Sequence, residues 1–149
     1  MTDLMRELRE MWEAADPAPV DLAERMIFTL QLENLEFELL RLHDVLEPVG
    51  ARGHETARTV TFGSDSLTVM VSMSGSGRPP HRVDGWIAPA AALRVELRTA
   101  RGTRETTADV DGRFAFTEVP AGLIQLVLHP TPGADITLAR PVVTPAVQL

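Results

Sequence analysis

The chain has 149 residues and a net charge of −7, long enough for one domain that buries a core without covalent staples. It contains no cysteine, which excludes disulfides and thiolate metal sites. The charge is uneven: residues 1–47 hold twelve acids against four arginines, a net −8, while the remainder sums to +1. Such a segment is repelled by nucleic acid and attracted to basic surfaces, which disfavours direct DNA or RNA binding through it.

Thr2 or Asp3 caps a predicted first helix, in which Leu4, Leu8, Met11, Trp12 and Ala15 recur at three- and four-residue spacing. Asp16-Pro17-Ala18-Pro19 ends it, because each proline disfavours helical geometry in the residue before it. A second, longer helix is predicted from Asp21 to about Val45, a span without Gly or Pro, with Leu32, Leu35, Leu39, Leu42 and Leu46 in a four-three rhythm. Its other apolar residues, Met26, Ile27, Phe28, Leu30, Phe37 and Leu40, point in further directions around the axis, so it needs cover on several sides. The first helix and the β-region supply that cover in one reading. In the other, part of the surface awaits a protein partner, and a homodimer satisfies either.

Residues 48–57 are expected to be a linker, with Pro48, Gly50 and Gly53 ending the helix. From Arg58 the hydrophobic period falls from about 3.6 to 2, which marks strands. Thr59 to Phe62 alternates; Gly63 to Ser66 turns into a strand whose Leu67, Val69, Val71 and Met73 face the core. Ser74 to Pro80 reads as a flexible loop and Arg82 to Ala88 as the next strand. Leu93, Val95 and Leu97 face inward, with Arg94, Glu96 and Arg98 outward, and Arg101-Gly102 turns the chain into Thr106-Thr107. Asp111-Gly112 is a strong hairpin signal; Phe114 and Phe116 lie two apart and share the core face, while Arg113 and Ala115 face away. Pro120-Ala121-Gly122 leads into Leu123 to Leu128, where Ile124, Leu126 and Leu128 share a face. Pro141 to Thr144 is expected to close the sheet as an edge strand whose flanking prolines deter further pairing.

The run from Thr107 through Asp111-Gly112-Arg113-Phe114 to Val119-Pro120 and Gly122 resembles the carboxypeptidase regulatory-like domain, over roughly Val83 to Val147. That family is a non-catalytic transthyretin-like sandwich. The expected fold class is therefore α+β: an N-terminal helical hairpin over residues 1–47, then a transthyretin-like antiparallel β-sandwich over residues 58–149. Asp16 to Arg25, Arg58 to Phe62, Asp65 to Val71, Asp84 to Pro89 and Arg140 to Pro145 are together similar to a group of small actinobacterial proteins. The resemblance implies association with sigma factors of RNA polymerase and with CHAT-type proteases of the same operon.

Candidate chemistry is sparse. His43, His54, His81 and His129 show no i, i+4 pair and no third ligand at metal-site spacing, so no metal or other cofactor is expected. Asp109-Val110-Asp111-Gly112 starts like a calcium loop, but its twelfth position is Pro120 rather than Glu, and turn chemistry explains it better. No serine lies in Gly-x-Ser-x-Gly, and Gly75-Ser76-Gly77 lacks the helix that a phosphate cradle needs. Trp86 is the one candidate for stacking on a ligand, although the N-terminal helices are expected to cover it.

The sequence thus predicts a non-enzyme. The expected function is a regulatory or adaptor protein that binds a sigma factor, in anti-sigma fashion, or a protease of the same operon. Phe28, Leu32, Leu35 and Leu39 would anchor in a groove, and Glu33 and Glu36 would steer a basic partner. The alternative is a peptidase-associated or carbohydrate-binding accessory module. A charged N-terminus without the apolar stretch of a secretory signal predicts a cytoplasmic protein, and no run approaches the roughly 20 apolar residues of a membrane span.

Overall fold

In the computed structural model, which describes residues 2–30, 36–46, 56–75 and 80–149, the period-two segments are strands, and their apolar alternates meet in one core. The elements in chain order are α1 (Thr2–Ala15), α2 (Leu22–Leu30), β1 (Glu38–Leu39), β2 (Arg41–Leu46), β3 (Thr56–Gly63), β4 (Thr68–Gly75), β5 (His81–Ala88), β6 (Arg94–Thr99), β7 (Gly102–Thr107), β8 (Arg113–Val119), β9 (Leu123–His129), β10 (Val142–Val143) and β11 (Val147–Gln148). One sheet has the order β2-β3-β4-β5-β8; the other has the order β1-β10-β9-β6-β7, with β11 also on β9. Val60, Phe62, Val69, Val71, Val83, Ile87, Phe114 and Phe116 of the first meet Val95, Leu97, Ile124, Leu126, Leu128 and Val142 of the second. Among the described residues, no helix is long and apolar enough to cross a membrane.

The expected helical hairpin followed by an antiparallel sandwich is overturned between residues 36 and 46. Helix α2 is described over Leu22–Leu30, and Glu38–Leu39 and Arg41–Leu46 are strands, one in each sheet. β1 runs parallel to β10, so the second sheet is mixed rather than antiparallel. The chain changes sheets at Leu40, which is buried in the core and donates its N–H to the Val143 carbonyl at 2.8 Å. Helix propensity is worth tenths of a kcal/mol per residue, whereas burying one leucine is worth about 2 kcal/mol, so tertiary burial overrides the four-three leucine rhythm. The expected linker falls mostly at residues 47–55, outside the described residues, as do residues 76–79 of the Ser74–Pro80 loop.

Two further expectations are corrected. The strand near Val142 is not an edge: β10 lies between β1 and β9. Pro141 does not block this, because β1 uses its carbonyl, accepting from Glu38 N–H at 2.9 Å, and not the missing N–H. The Asp111-Gly112 turn forms, but the strands it joins do not pair with each other; β7 pairs with β6, and β8 with β5. The turn is a crossover between sheets. Asp109 Oδ1 accepts from the N–H groups of Asp111 and Arg113, each at 2.9 Å, and Gly112 takes φ 78°. Its carbonyl accepts from Ile87 N–H at 2.8 Å, which locks the crossover onto β5.

Candidate interaction surface

Leu4, Met5, Leu8, Met11, Trp12 and Ala15 follow one another at helical spacing and fall within an arc of about 120° on α1. Asp3, Glu7, Glu10 and Glu13 occupy the rest with Arg6 and Arg9, and Arg6 Nη2 pairs with Asp3 Oδ1 at 3.2 Å. An amphipathic helix in a folded domain normally turns its apolar arc onto the core. Here it does not: none of the fourteen residues of α1 is buried, and Trp12 is 71% exposed. In heptad terms Leu4 and Met11 are at d, Leu8 and Ala15 at a, Met5 and Trp12 at e. A three-position face of that kind suits a groove or a bundle better than the two-position seam of a two-stranded coiled coil.

Helix α2 is held differently. The Asp21 carboxylate accepts from Arg25 Nε at 2.7 Å, four residues on, at the first turn. Phe28 is buried with Leu123 and Ala146 on the outer face of the second sheet. Arg98 of β6 places its guanidinium 4.7 Å from the Phe28 ring centroid and donates from Nη2 to the Phe28 carbonyl at 3.1 Å. Its Nη1 donates to Gln125 Oε1, and Gln125 Nε2 donates to the Thr144 carbonyl at 2.9 Å. Burial pushes the Arg98 guanidinium below its ordinary pKa, opposed by the charge of Glu96. On the opposite face of α2, Leu22, Met26 and Ile27 are exposed.

Of the six residues expected to bind a partner, the three described ones, Phe28, Glu36 and Leu39, do not share a helix. Phe28 is buried against the sheet; Leu39 is an exposed residue of β1; Glu36 is exposed just before β1. Leu32, Glu33 and Leu35 lie outside the described residues. The α1 stripe, expected in one reading to cover a side of the second helix, is instead a free surface, and its clean arc was the signal. Arg98 was placed on the outer face, which is right, but nothing local marked it as buried.

Trp86 is 38% exposed, not covered by the helices as expected, because Val83, Gly85 and Ile87 take the inward positions of β5. It pairs in register with Met70, also exposed, on one side and Arg113 on the other. Compared with known proteins, the chain matches no family model, no curated protein and no solved structure.

Proposed function

We propose that this protein is a non-catalytic adaptor whose helix α1 inserts its apolar stripe into a groove on a protein partner, with the two-sheet body as the platform. The observation that carries the reading is the exposure of Leu4, Met5, Leu8, Met11 and Trp12 on a single helix face. Exposed apolar surface of this extent marks interaction sites, and amphipathic helices bind grooves through anchors at i, i+3, i+4 and i+7. The acidic residues on the remaining arc favour a groove with a basic rim and speed encounter with it. A sigma factor, named by the resemblance, is the first partner to test, which requires a cytoplasmic protein; a protease of the same operon is the second.

The experiment uses a Trp86→Phe protein, so that Trp12 alone reports. Titration with purified sigma factor of the same cell should shift Trp12 emission to the blue with a dissociation constant of about 1 μM, weakening as salt rises. Leu8→Asp should abolish the shift without changing the melting curve. No shift with the intact helix, or binding indifferent to Leu8→Asp, refutes the reading. Sedimentation of the protein alone identifies self-association as the competing occupant.

The exposed Trp86 favours a second reading, an accessory module that stacks a sugar ring on the outer face of the first sheet. Glycan binding lost in Trp86→Ala and kept in Leu8→Asp would establish it.

A further inference from the structure

On the outer face of the second sheet, β6 runs between β7 and β9, and the register sets Glu96 opposite Glu105 and Arg94 opposite His129. Paired residues leave a sheet on the same side. Glu96 and His129 alternate with core residues of their own strands, and Glu105 lies opposite Glu96 in the β6–β7 pair, so three adjacent strands deliver them to one place. A carboxylate oxygen from each glutamate and a ring nitrogen of His129 lie within 4.8 Å of one another. Among the described residues, His43 and His81 take no part, so the cluster depends on register and not on sequence spacing.

Two features of the cluster are unfavourable as they stand. Glu96 and Glu105 are like charges directly across a strand pair, an arrangement that destabilises a sheet. Arg94 offsets part of this by pairing with Glu105 Oε1 at 2.6 Å. His129 Nε2, 3.5 Å from Glu96 Oε1, is shielded from water and makes no hydrogen bond. A buried polar atom without a partner forfeits the hydrogen bonds it had in water. A divalent cation relieves both: it neutralises the paired carboxylates and takes the nitrogen's lone pair.

We propose that Glu96, Glu105 and His129 bind a zinc ion, with water completing the coordination. One imidazole and two carboxylates suit zinc, whereas magnesium and calcium take oxygen ligands. At zinc bond lengths of about 2.0–2.2 Å, tetrahedral ligand atoms sit roughly 3.3–3.6 Å apart. The 3.5 Å between His129 and Glu96 already approaches that separation. Glu105 is exposed, so its side chain closes the remaining distance by rotating away from Arg94. Arg94 competes with the metal for Glu105, and the ion cross-links β7, β6 and β9.

The test is calorimetric titration of the full-length, chelator-stripped protein with zinc chloride, with cobalt absorption as a report of geometry. One equivalent should bind with micromolar affinity, raise the melting temperature and resist a large excess of magnesium. His129→Ala and Glu105→Gln should each weaken binding by about tenfold or more, and Arg94→Ala should tighten it by a similar factor. Glu105→Gln changes an exposed side chain, so its fold is not at risk. An intact protein that binds no zinc, or binding unchanged in His129→Ala and Glu105→Gln, overturns the proposal; the latter would assign the zinc to surface acids elsewhere.

Discussion

Arg98 and Phe28, 70 residues apart, form one unit: the guanidinium lies over the ring at 4.7 Å and donates to the same residue's carbonyl at 3.1 Å. That carbonyl belongs to α2, so the contact joins the helix to the sheet. The pairing docks α2 on β6, and through Gln125 and Thr144 it ties the helix to β9 and the segment after β10.

Arg98→Ala should therefore release α2 more than it disturbs the sheets. It leaves the Phe28 carbonyl and Gln125 Oε1 without their donor, for a loss of about 1–3 kcal/mol. Hydrogen exchange in residues 22–30 should accelerate while β3, β4 and β5 keep their protection. Arg98→Lys should rescue little, since one ammonium cannot reproduce a planar fork over a ring. Although burial lowers its pKa, arginine stays protonated throughout the range where the protein folds, so exchange in α2 should not change between pH 6 and pH 9 beyond the intrinsic rate.

Gly85→Ala should be among the most damaging single substitutions. A Cβ at Gly85 would lie 2.0 Å from Phe114 Cζ, and Phe114 is itself packed edge-on to Phe116 with ring centroids 6.2 Å apart. Overpacking of this kind costs about 1–3 kcal/mol or more. Phe114→Leu in the same protein should recover part of the loss, giving a favourable coupling in a double-mutant cycle read by urea denaturation. Additive effects would mean that the ring is not the obstacle.

The faces of the strands were legible because a period of two needs no knowledge of partners. Val69, Val71 and Met73 of β4, with Leu67 just before it, and Val95 and Leu97 of β6, with Leu93 just before it, are all buried, as their alternation requires. Asp109 and Gly112 were legible as a turn for the same local reason. Which strands the turn joins was not, since β6 and β5 select β7 and β8 through pairings that no local signal encodes. Residues 38–46 were misread because leucines spaced for a helix also satisfy a short strand and a sheet-to-sheet crossing. Arg98, Gln125 and Thr144 are polar residues whose burial arises only when α2 and the last strands close over them. The zinc-site residues are equally nonlocal: Glu96 and His129 meet through the β6–β9 register.

Thr144→Val tests the buried polar network with an isosteric change. Thr144 Oγ1 accepts from Leu126 N–H at 3.0 Å, and the residue is buried. Valine fills the space and removes the acceptor, so the Leu126 N–H is orphaned at a cost of about 1–3 kcal/mol. Thr144→Ser keeps the oxygen and should lose less, despite deleting a methyl group. Equal stability of the valine and threonine proteins in thermal melts would show that this hydroxyl is dispensable.

Asp109→Ala and Asp109→Asn separate hydrogen bonding from charge at the crossover. Asp109 Oδ1 accepts two backbone N–H groups, so alanine should cost about 1 kcal/mol or more, while asparagine retains an acceptor at the same place. Gly112→Ala should exceed both. Its φ of 78° disfavours a side chain, and a Cβ would meet the Ile87 carbonyl oxygen at 2.4 Å. The order of the three midpoints in urea is the measurement. Asparagine as damaging as alanine would point to the carboxylate's charge instead.

Deleting residues 1–16 should leave the melting temperature of the remainder within about 2 °C of the full chain, because surface changes away from buried contacts are worth less than about 0.5 kcal/mol. Helix α1 has no buried residue, whereas α2 seats Phe28 in a cluster with Leu123 and Ala146. Extending the deletion through residue 30 should therefore destabilise the protein, and the contrast between the two truncations is the informative quantity. Isolated helices shorter than about 12–15 residues are marginal in water, so α1, at fourteen residues and without tertiary cover, should exchange its amide hydrogens within seconds. Helicity in α1 would then be completed on the partner, where burial of Leu8, Met11 and Trp12 offsets the ordering cost. A shorter chain that melts as early as one lacking α2, or strong exchange protection in α1 of the free protein, would mean that α1 packs on its own body and is not held out for another.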